Sequence, residues 1–292
     1  MHNERWVFLF KAINVTKRFG PTIALDRVSV EFTRGLNILL GPNGSGKSTL
    51  LKLWSGILKP TKGKVRVLEL DPWGQREQVM KKISVFFEDL PAPWWLSGED
   101  YTRYIAEKRG VKWERIKEYA ERLSVTSYWN RLVRGYSSGM KKKLMLLIAL
   151  SPDVEGYILD EPYTLLDKEA LRTVDEIIAE KIKEGRVVVI ATHILTGIEK
   201  LVEGFAILHN GRVLVKYPGE LRELPIVVEC KNKRPLEIVS EAVKLNPLRV
   251  ELREDTVYVY TSRKREVEEF REKNKCTEYV DLTTLYRELV KA

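Results

Sequence analysis

The stretch from residue 41 to residue 49 constrains this chain of 292 residues more than any other. It reads Gly-Pro-Asn-Gly-Ser-Gly-Lys-Ser-Thr, follows an apolar run at residues 36–40 and precedes a helical pattern that begins at Leu50. Because glycines lack a Cβ, such a turn lets several backbone N–H groups converge on an anion at the N-terminus of a helix. The spacing matches a G-x-x-x-x-G-K-[ST] loop, which binds nucleotide phosphates. An ordinary glycine turn is the alternative, and the flanking strand and helix count against it.

We predict that the whole loop binds phosphate and that two of its polar side chains have separate roles. Lys47 reaches the β- and γ-phosphates, and the Ser48 hydroxyl is a ligand for Mg²⁺. The predicted nucleotide-binding residues of the loop are Gly41, Pro42, Asn43, Gly44, Ser45, Gly46, Lys47, Ser48 and Thr49. The loop does not identify the nucleotide type or the partner, because many unrelated phosphate-binding enzymes share it.

Length and composition predict about two globular domains in the cytosol. The chain is 44% apolar, but its longest apolar runs are far shorter than the roughly 18 residues of a membrane helix, and its start lacks a signal pattern. We therefore expect at most peripheral membrane binding through another protein. The net charge of +9 is compatible with nucleic acid or an anionic membrane surface as a partner. A lysine- and glutamate-rich surface is the simpler explanation, because the basic residues are dispersed.

An aromatic residue lies shortly before the phosphate loop. Apolar and polar residues alternate between residues 6 and 32, which predicts strands at 8–13 and 28–32, and Phe19 lies between them next to Gly20. An exposed aromatic at this point is a candidate platform for stacking adenine. The alternative is a turn aromatic that packs on the sheet.

Residues 88–150 differ from the rest and predict a helical insertion. Residues 101–109 and 113–123 have helical periodicity with charged faces, and another helix is expected at 141–150. The segment 91–96 contains Trp94 and Trp95, which either pack internally or form a docking surface for a partner chain. Three lysines at 141–143 begin the last helix, where they oppose its dipole, so an anion is expected nearby unless this is a solvated basic turn.

A second group of candidate catalytic residues follows two apolar strands. Asp160 and Glu161 end the strand at 157–159, and His193 follows the strand at 187–191. Ligands bind at the carboxyl ends of parallel strands, so Asp160 is expected to reach Mg²⁺ directly or through water. Glu161 is then the acceptor of a proton from the water that attacks the γ-phosphate, and His193 a donor to that phosphate. A solvated acidic loop is the alternative for the two carboxylates.

The chain beyond residue 222 predicts a small accessory domain. The order of elements from 226 to 291 is β-α-β-β-α-β, ending in a helix at 283–291, and contains no catalytic group of residues. Its two cysteines, Cys230 and Cys276, match neither a disulfide framework nor a zinc ligand set. We expect both to be reduced and to pack internally.

These motifs in this order resemble the nucleotide-binding subunits of ATP-binding cassette (ABC) transporters, over residues 4–218. Phe19 falls at the adenine-stacking position, the loop at Walker A and residues 157–161 at Walker B with its catalytic glutamate. The sequence Tyr-Ser-Ser-Gly-Met at 136–140 matches the family signature LSGGQ, residues 165–167 match the D-loop, and His193 matches the switch histidine. Glu88 stands where the family has the Q-loop glutamine. A carboxylate there can still bind Mg²⁺ through an oxygen but cannot donate a hydrogen bond as an amide does.

The resemblance implies an α/β fold. It consists of a P-loop NTPase (RecA-like) core with an antiparallel β subdomain and a helical insertion at 88–150, forming a domain at 1–222, plus a small α+β module at 223–292. It implies catalytic residues Lys47, Glu161 and His193 and metal ligands Ser48, Glu88 and Asp160. In the family, signature and D-loop residues of one copy close over the ATP of another. The residues at those positions are Ser137, Ser138, Gly139 and Asp167.

The implied function is an ATP-hydrolysing subunit that uses ATP and Mg²⁺ and dimerises with a second copy of itself. It energises a separate membrane permease, in the manner of prokaryotic drug, antibiotic or polysaccharide exporters, from the inner face of the membrane. One alternative is a soluble cassette ATPase acting on nucleic acid or ribosomes, although the chain has neither two cassettes nor a long coiled-coil insertion. No nucleic acid is expected as a partner. A regulator without turnover is disfavoured by the presence of Glu161 and His193.

Overall fold

Three β-sheets and eight α-helices make up the described part of the chain. The computed structural model describes residues 9–194, 198–217, 226–231, 235–245, 247, 249–253, 256–261 and 264–282. The strands are β1 (Phe10–Phe19), β2 (Thr22–Phe32), β3 (Gly35–Leu40), β4 (Lys62–Val67), β5 (Ile83–Phe86), β6 (Gly156–Asp160), β7 (Val187–Thr192), β8 (Val202–His209), β9 (Arg212–Tyr217), β10 (Ile226–Lys231), β11 (Arg249–Arg253), β12 (Thr256–Thr261) and β13 (Thr277–Val280). The helices are α1 (Lys47–Trp54), α2 (Arg76–Lys82), α3 (Gly98–Arg109), α4 (Trp113–Arg122), α5 (Ser138–Leu150), α6 (Lys168–Lys183), α7 (Pro235–Val243) and α8 (Lys264–Lys273).

The largest sheet has six strands in the order β5-β6-β7-β3-β8-β9. All neighbouring pairs are parallel except β8 and β9, which form an antiparallel hairpin. Every residue of β3, β6 and β7 is buried, because helices and a second sheet cover both faces. The carboxyl ends of these three strands lie side by side, so the residues that follow them meet at one edge of the sheet.

One face of the large sheet packs on α1 and on the antiparallel sheet β2-β1-β4. Trp54, at the end of α1, is fully buried between the rings of Phe10 and Phe32 and donates its indole N–H to the carbonyl of Lys11 at 3.0 Å. The last turn of α1 is thereby fixed against β1 and β2. This packing sets the direction in which the N-terminus of α1 points, which is toward the phosphate loop.

The other face packs on α5, α6 and the helical segment that contains α3 and α4. Ser97 caps α3 by accepting a hydrogen bond from the backbone N–H of Asp100 at 3.0 Å, and Ser137 caps α5 in the same way from Met140 at 3.2 Å. The α5 helix carries the signature residues at its N-terminus and packs against both α3 and α4 as well as β5. It therefore connects the helical segment to the central sheet.

The C-terminal elements form a separate antiparallel sheet in the order β11-β12-β10-β13, with α7 and α8 packed on it. The predicted strand and helix order is observed up to β13. The prediction that both cysteines are reduced is wrong, because Cys230 and Cys276 form a disulfide. The physical reason is strand register: Glu229 pairs with Thr277, so the antiparallel ladder puts Cys230 opposite Cys276, with a Cα–Cα distance of 4.5 Å.

Several element boundaries differ from the prediction. The helix after the phosphate loop ends at Trp54 instead of about residue 58, and α5 begins at Ser138, three residues before the expected start, because Ser137 caps it. The α2 helix was not predicted. The expected helix at 283–291 and the boundary between residues 222 and 223 lie outside the described residues, so the proposed domain limits stay a prediction. In the described part of the chain, no helix has the length and apolar character needed to cross a membrane.

Candidate active site

The phosphate loop connects β3 to α1 in the way the sequence predicts. Gly46 has a φ of 105°, and a Cβ at this position would lie 2.6 Å from a methyl carbon of Leu25 and 2.7 Å from the carbonyl oxygen of Ala24. Glycine is therefore required here for both backbone conformation and space. Its carbonyl accepts the first helical hydrogen bond of α1, from Leu50 N–H at 2.9 Å. The loop thus presents the free N–H groups of a helix N-terminus, which favour an anion.

Lys47 lies at the centre of this loop and is only 5% exposed. Its amino group donates to the carbonyl oxygens of Gly41 at 2.8 Å and Pro42 at 3.2 Å. The same nitrogen is 3.4 Å from Oε1 of Glu161. A buried ammonium is stable only with such partners, so the geometry holds a positive charge between the loop and the catalytic carboxylate predicted from sequence.

Asp160 ends β6 beside the Ser48 hydroxyl, with which it forms a hydrogen bond. Burial raises the pKa of Asp160 to about 6, although the bond from Ser48 opposes this shift. Its Oδ1 atom is buried without a hydrogen-bond partner among the described residues. A carboxylate oxygen without a partner next to a hydroxyl is an oxygen ligand set that suits a small divalent cation.

Glu161 and His193 follow neighbouring strands, β6 and β7. Oε2 of Glu161 lies 2.9 Å from Nδ1 of His193, and the backbone N–H of His193 points to the same oxygen at 3.4 Å. Glu161 is buried and has a φ of 49°, a left-handed conformation that is uncommon for a residue with a side chain. Its backbone N–H is held by the carbonyl of Ala191 at 2.8 Å. Such strain, of about 1 kcal/mol or more, is concentrated at functional sites.

Glu88 lies just beyond β5 and contacts groups of the protein. Its Oε1 accepts hydrogen bonds from Lys142 Nζ at 3.1 Å and from Thr164 Oγ1 at 2.6 Å. Partial burial raises the pKa of Glu88, but the bonds from Thr164 and Lys142 outweigh it, and the pKa is lowered overall. Glu88 is therefore held as a carboxylate. Its predicted role as a metal ligand remains a prediction.

One cavity of about 330 Å³ brings most of the predicted residues together. The predicted residues that line it are Asn43, Gly44, Ser45, Gly46, Lys47, Ser48, Thr49, Glu88, Asp160 and Glu161. Ala24 and Asp89 also line it and were not predicted. Asp89 pairs with Lys52 of α1. The two residues are 37 positions apart, so no local sequence pattern predicts this contact.

The signature residues and Phe19 lie elsewhere. Ser138 lines a second groove, with Trp94 and Leu165, and neither Ser137 nor Gly139 lines the phosphate-loop cavity of its own chain. Phe19, which is 47% exposed, ends the β1 strand and does not line the cavity either. The phosphate-loop cavity of one chain is therefore lined by Walker residues and not by the signature residues of the same chain.

Two of the three lysines at the start of α5 pair with carboxylates of the protein, so the alternative of a solvated basic turn does not describe these two. Lys142 pairs with Glu88, and Lys143 pairs with Asp167 at 2.7 Å. Asp167 also caps α6 by accepting from Ala170 N–H at 2.8 Å. Lys142 could not be predicted from sequence as a residue of the site, because 54 positions separate it from Glu88.

Comparisons with known proteins agree with this geometry. Residues 25–164 match the family described as ABC transporter. Lantibiotic transport ATP-binding protein SrtF of Streptococcus pyogenes is 29% identical over 209 residues, which are 71% of this chain and 90% of that protein. Nod factor export ATP-binding protein I of Rhizobium johnstonii is 31% identical over 256 residues, 85% of this chain and 82% of that protein.

This chain belongs to the ATP-binding subunits of ABC transporters. A solved structure described as an ATP-binding subunit of an ABC transporter is 26% identical to it, with a TM-score of 0.65, over 71% of this chain and 89% of that one. The bacterial ABC transporter cassette MJ0796, solved as a dimer, is 22% identical with a TM-score of 0.64 and shows the same fold over 71% of this chain and 97% of its own.

Membership in the ABC family confirms the predicted fold class and activity. The chain is an ATPase subunit that energises transport, and its central sheet, helical segment and antiparallel sheet are those of an ABC cassette. These comparisons give no support to the alternative of an ATPase acting on nucleic acid or ribosomes. The roles of the individual site residues stay predictions.

Proposed function

We propose that this ABC subunit binds ATP between two copies of itself. The phosphate loop and Glu161 of one copy supply one side of each site, and Ser137, Ser138, Gly139 and Asp167 of the other copy supply the opposite side. The observation that carries this proposal is the separation of the two sets: the signature residues line no part of the cavity formed by the Walker residues of the same chain. A head-to-tail pair of copies with twofold symmetry brings each signature segment to the partner's phosphate loop.

Mg²⁺ is the cation that we assign to this site. The hydroxyl of Ser48 and Oδ1 of Asp160, which has no hydrogen-bond partner among the described residues, would hold the ion, and Glu88, the third predicted ligand, lines the same cavity. When bound, the ion would offset the negative charge of the β- and γ-phosphates. The donor set supports this assignment, because Mg²⁺ prefers one or two protein oxygens together with phosphate oxygens and water.

Glu161 has the position of the general base in this proposal. Its carboxylate takes the proton of a water molecule whose oxygen forms the new bond to the γ-phosphorus, while the bond between that phosphorus and the β,γ-bridging oxygen breaks and ADP leaves. Lys47 lies 3.4 Å from Oε1 of this carboxylate, and Nδ1 of His193 lies 2.9 Å from Oε2. Both also have donor groups for the phosphates, so the site stabilises the charge that spreads over them in the transition state.

The partner of the dimer is a separate permease, and we propose that the pair acts in export from the cytoplasmic face of the membrane. Support comes from the Nod factor export relative, whose match covers most of both chains. The exposed side chains of Trp94 and Trp95, in the loop before α3, are apolar surface that a membrane-protein partner can cover.

Co-purification from the source membranes tests this proposal. Tagged Glu161→Gln protein is mixed with solubilised membranes, with and without ATP and Mg²⁺. We expect a dimer that forms only with nucleotide and retains a polytopic membrane protein after a high-salt wash. Retention of RNA or DNA that salt removes, with no membrane protein, would contradict it, because electrostatic binding to nucleic acid falls steeply with salt.

A further inference from the structure

The side chain of Lys142 is a buried cation that contacts the backbone of Glu161, the proposed general base. It lies in the first turns of α5 and is 6% exposed. Its amino group donates to three oxygens: Oε1 of Glu88 at 3.1 Å, the backbone carbonyl of Glu161 at 2.6 Å, and Oγ1 of Thr164. An ammonium group has three N–H donors, so all three are used.

The three oxygens belong to three different segments. Glu88 follows β5, Glu161 follows β6, and Thr164 lies in the loop that leads to α6. The lysine itself lies four residues from Ser138, at the start of the helix that carries the signature residues. One side chain therefore joins the signature helix to the segments that follow β5 and β6, two of the strands that end at the ATP cavity.

The charge of Lys142 has a second effect at this position. Glu88, Asp89, Asp160 and Glu161 all line the same cavity, so four carboxylates face one site that must also accept a triphosphate. Lys142 neutralises the one that stands where the family has a neutral glutamine. Thr164 donates its hydroxyl to the same Glu88 oxygen, at 2.6 Å, and closes a triangle of hydrogen bonds around the lysine. Removing one member of such a buried network costs more free energy than replacing a matched pair, because the remaining member is left without its partner.

We propose that Lys142 is a positioning residue for ATP hydrolysis, which holds Glu161 and Glu88 in a fixed relation to the signature helix. Through its bond to the Glu161 carbonyl, it supports the left-handed backbone conformation that aims the catalytic side chain. Its ion pair with Glu88 takes the place of the neutral glutamine that the family has at position 88. This inference rests on the proposed function, since it takes Glu161 as the base.

A set of four variants separates positioning from mere stability. Lys142→Met keeps the aliphatic length but removes charge and donors, Lys142→Gln keeps two donors, and Glu88→Gln removes the opposite charge. The fourth variant combines Lys142→Gln with Glu88→Gln, a neutral pair that can still hydrogen-bond. Measured quantities are kcat, KM for ATP, the affinity for ATP without hydrolysis, and Tm.

We expect Lys142→Met to lower kcat about tenfold or more with less than a threefold change in ATP affinity, the pattern for loss of an interaction that serves the transition state. Each of the two single glutamine variants also lowers kcat. The combined variant recovers kcat to within about threefold of the wild type, since coupled residues are not additive. Wild-type kcat in Lys142→Met, or a combined variant whose loss equals the product of the two single losses, would overturn the proposal.

The matched control is another ion pair, formed by the residues that immediately precede the same two strands. Lys82, before β5, pairs with Glu155, before β6, at the opposite edge of the sheet, and both side chains are half-exposed. Lys82→Gln with Glu155→Gln should leave kcat within about twofold, as expected for an exposed pair. Failure of the proposed function looks different, because a Glu161→Gln protein would then keep its turnover whatever Lys142 does. Inactive Glu161→Gln together with fully active Lys142→Met rejects only the role of Lys142.

Discussion

The carboxylate of Glu161 and the imidazole of His193 meet at 2.9 Å, between Oε2 and Nδ1. They are 32 positions apart in sequence and become neighbours because β6 and β7 are adjacent parallel strands whose carboxyl ends lie at the same edge. The contact leaves the other oxygen of Glu161 facing Lys47 and the phosphate loop. An acidic residue after one strand and a histidine after the next are thus in direct contact.

Replacement of Glu161 by glutamine removes the proton acceptor without changing its size. We expect kcat to fall about 100-fold or more, the scale for loss of a general base, while ATP binding persists and an ATP-bound dimer accumulates. Single-turnover hydrolysis and size-exclusion chromatography with ATP and Mg²⁺ measure both effects. Normal steady-state turnover in this variant would contradict the assignment.

Lys47→Ala removes the buried ammonium from the phosphate loop. We expect ATP affinity to fall about tenfold or more, because a charge-assisted contact to the phosphates is lost. Isothermal titration calorimetry of the intact chain measures it. Lys81→Ala is the control, because among the described contacts this exposed lysine pairs only with its helix neighbour Glu77. This variant should bind ATP as the wild type does. Unchanged affinity of the Lys47 variant would show that the phosphates bind elsewhere.

Ser48→Ala tests the cation site. This substitution removes one oxygen ligand from the proposed cation site next to Asp160. We therefore expect the Mg²⁺ concentration for half-maximal hydrolysis to rise about tenfold or more. The measurement is a Mg²⁺ titration at saturating ATP. Ser127→Ala, an exposed serine in the helical segment, should give the wild-type curve. Superimposed curves for the two variants would remove Ser48 from the site.

The disulfide gives a prediction for the C-terminal module. Cys230 and Cys276 are 46 residues apart, and reducing a bond that closes a loop of this size is expected to cost about 2–4 kcal/mol of unfolding free energy. When unfolding of the full chain is followed with and without reductant, the loss of unfolding free energy should be confined to the C-terminal module, and ATP hydrolysis should be retained. Protein with both cysteines changed to serine serves as the control, because reductant should not affect its unfolding. Identical unfolding of the native chain in both conditions would contradict the prediction.

The predictable parts of this fold were those whose signal is local. The phosphate loop, the strand before it and the helix after it lie in one continuous stretch, and glycine positions such as Gly46 fix its geometry. The C-terminal strands were predictable from alternation, but the pairing of Cys230 with Cys276 was not, because it depends on the register of two strands distant in sequence. A cysteine count gives no such information.

The same limit applies to the site. Asp160, Glu161 and His193 could be predicted to lie at one edge of the sheet, because the carboxyl ends of parallel strands meet there. The contact of Lys142 with Glu88 could not, since its direction depends on how α5 packs against β5. From sequence, the three lysines at 141–143 left two explanations open, a nearby anion or a solvated basic turn. Tertiary packing decided which carboxylate each one contacts.

The central claim is that one chain supplies only half of each ATP site, and an isotope-coded cross-link tests it most directly. Cys230 and Cys276 are bonded to each other, so Ser138→Cys introduces the one free thiol in the described chain, to which a benzophenone probe is attached. Probe-bearing unlabelled protein and ¹⁵N-labelled protein, both with Glu161→Gln, are mixed and irradiated with ATP and Mg²⁺. We predict cross-linked peptides that join the unlabelled residue 138 to a labelled residue 41–49 segment, and only when nucleotide is present. Cross-links confined to peptides of a single copy, with hydrolysis at the full rate in probe-bearing protein that retains Glu161, would contradict the account.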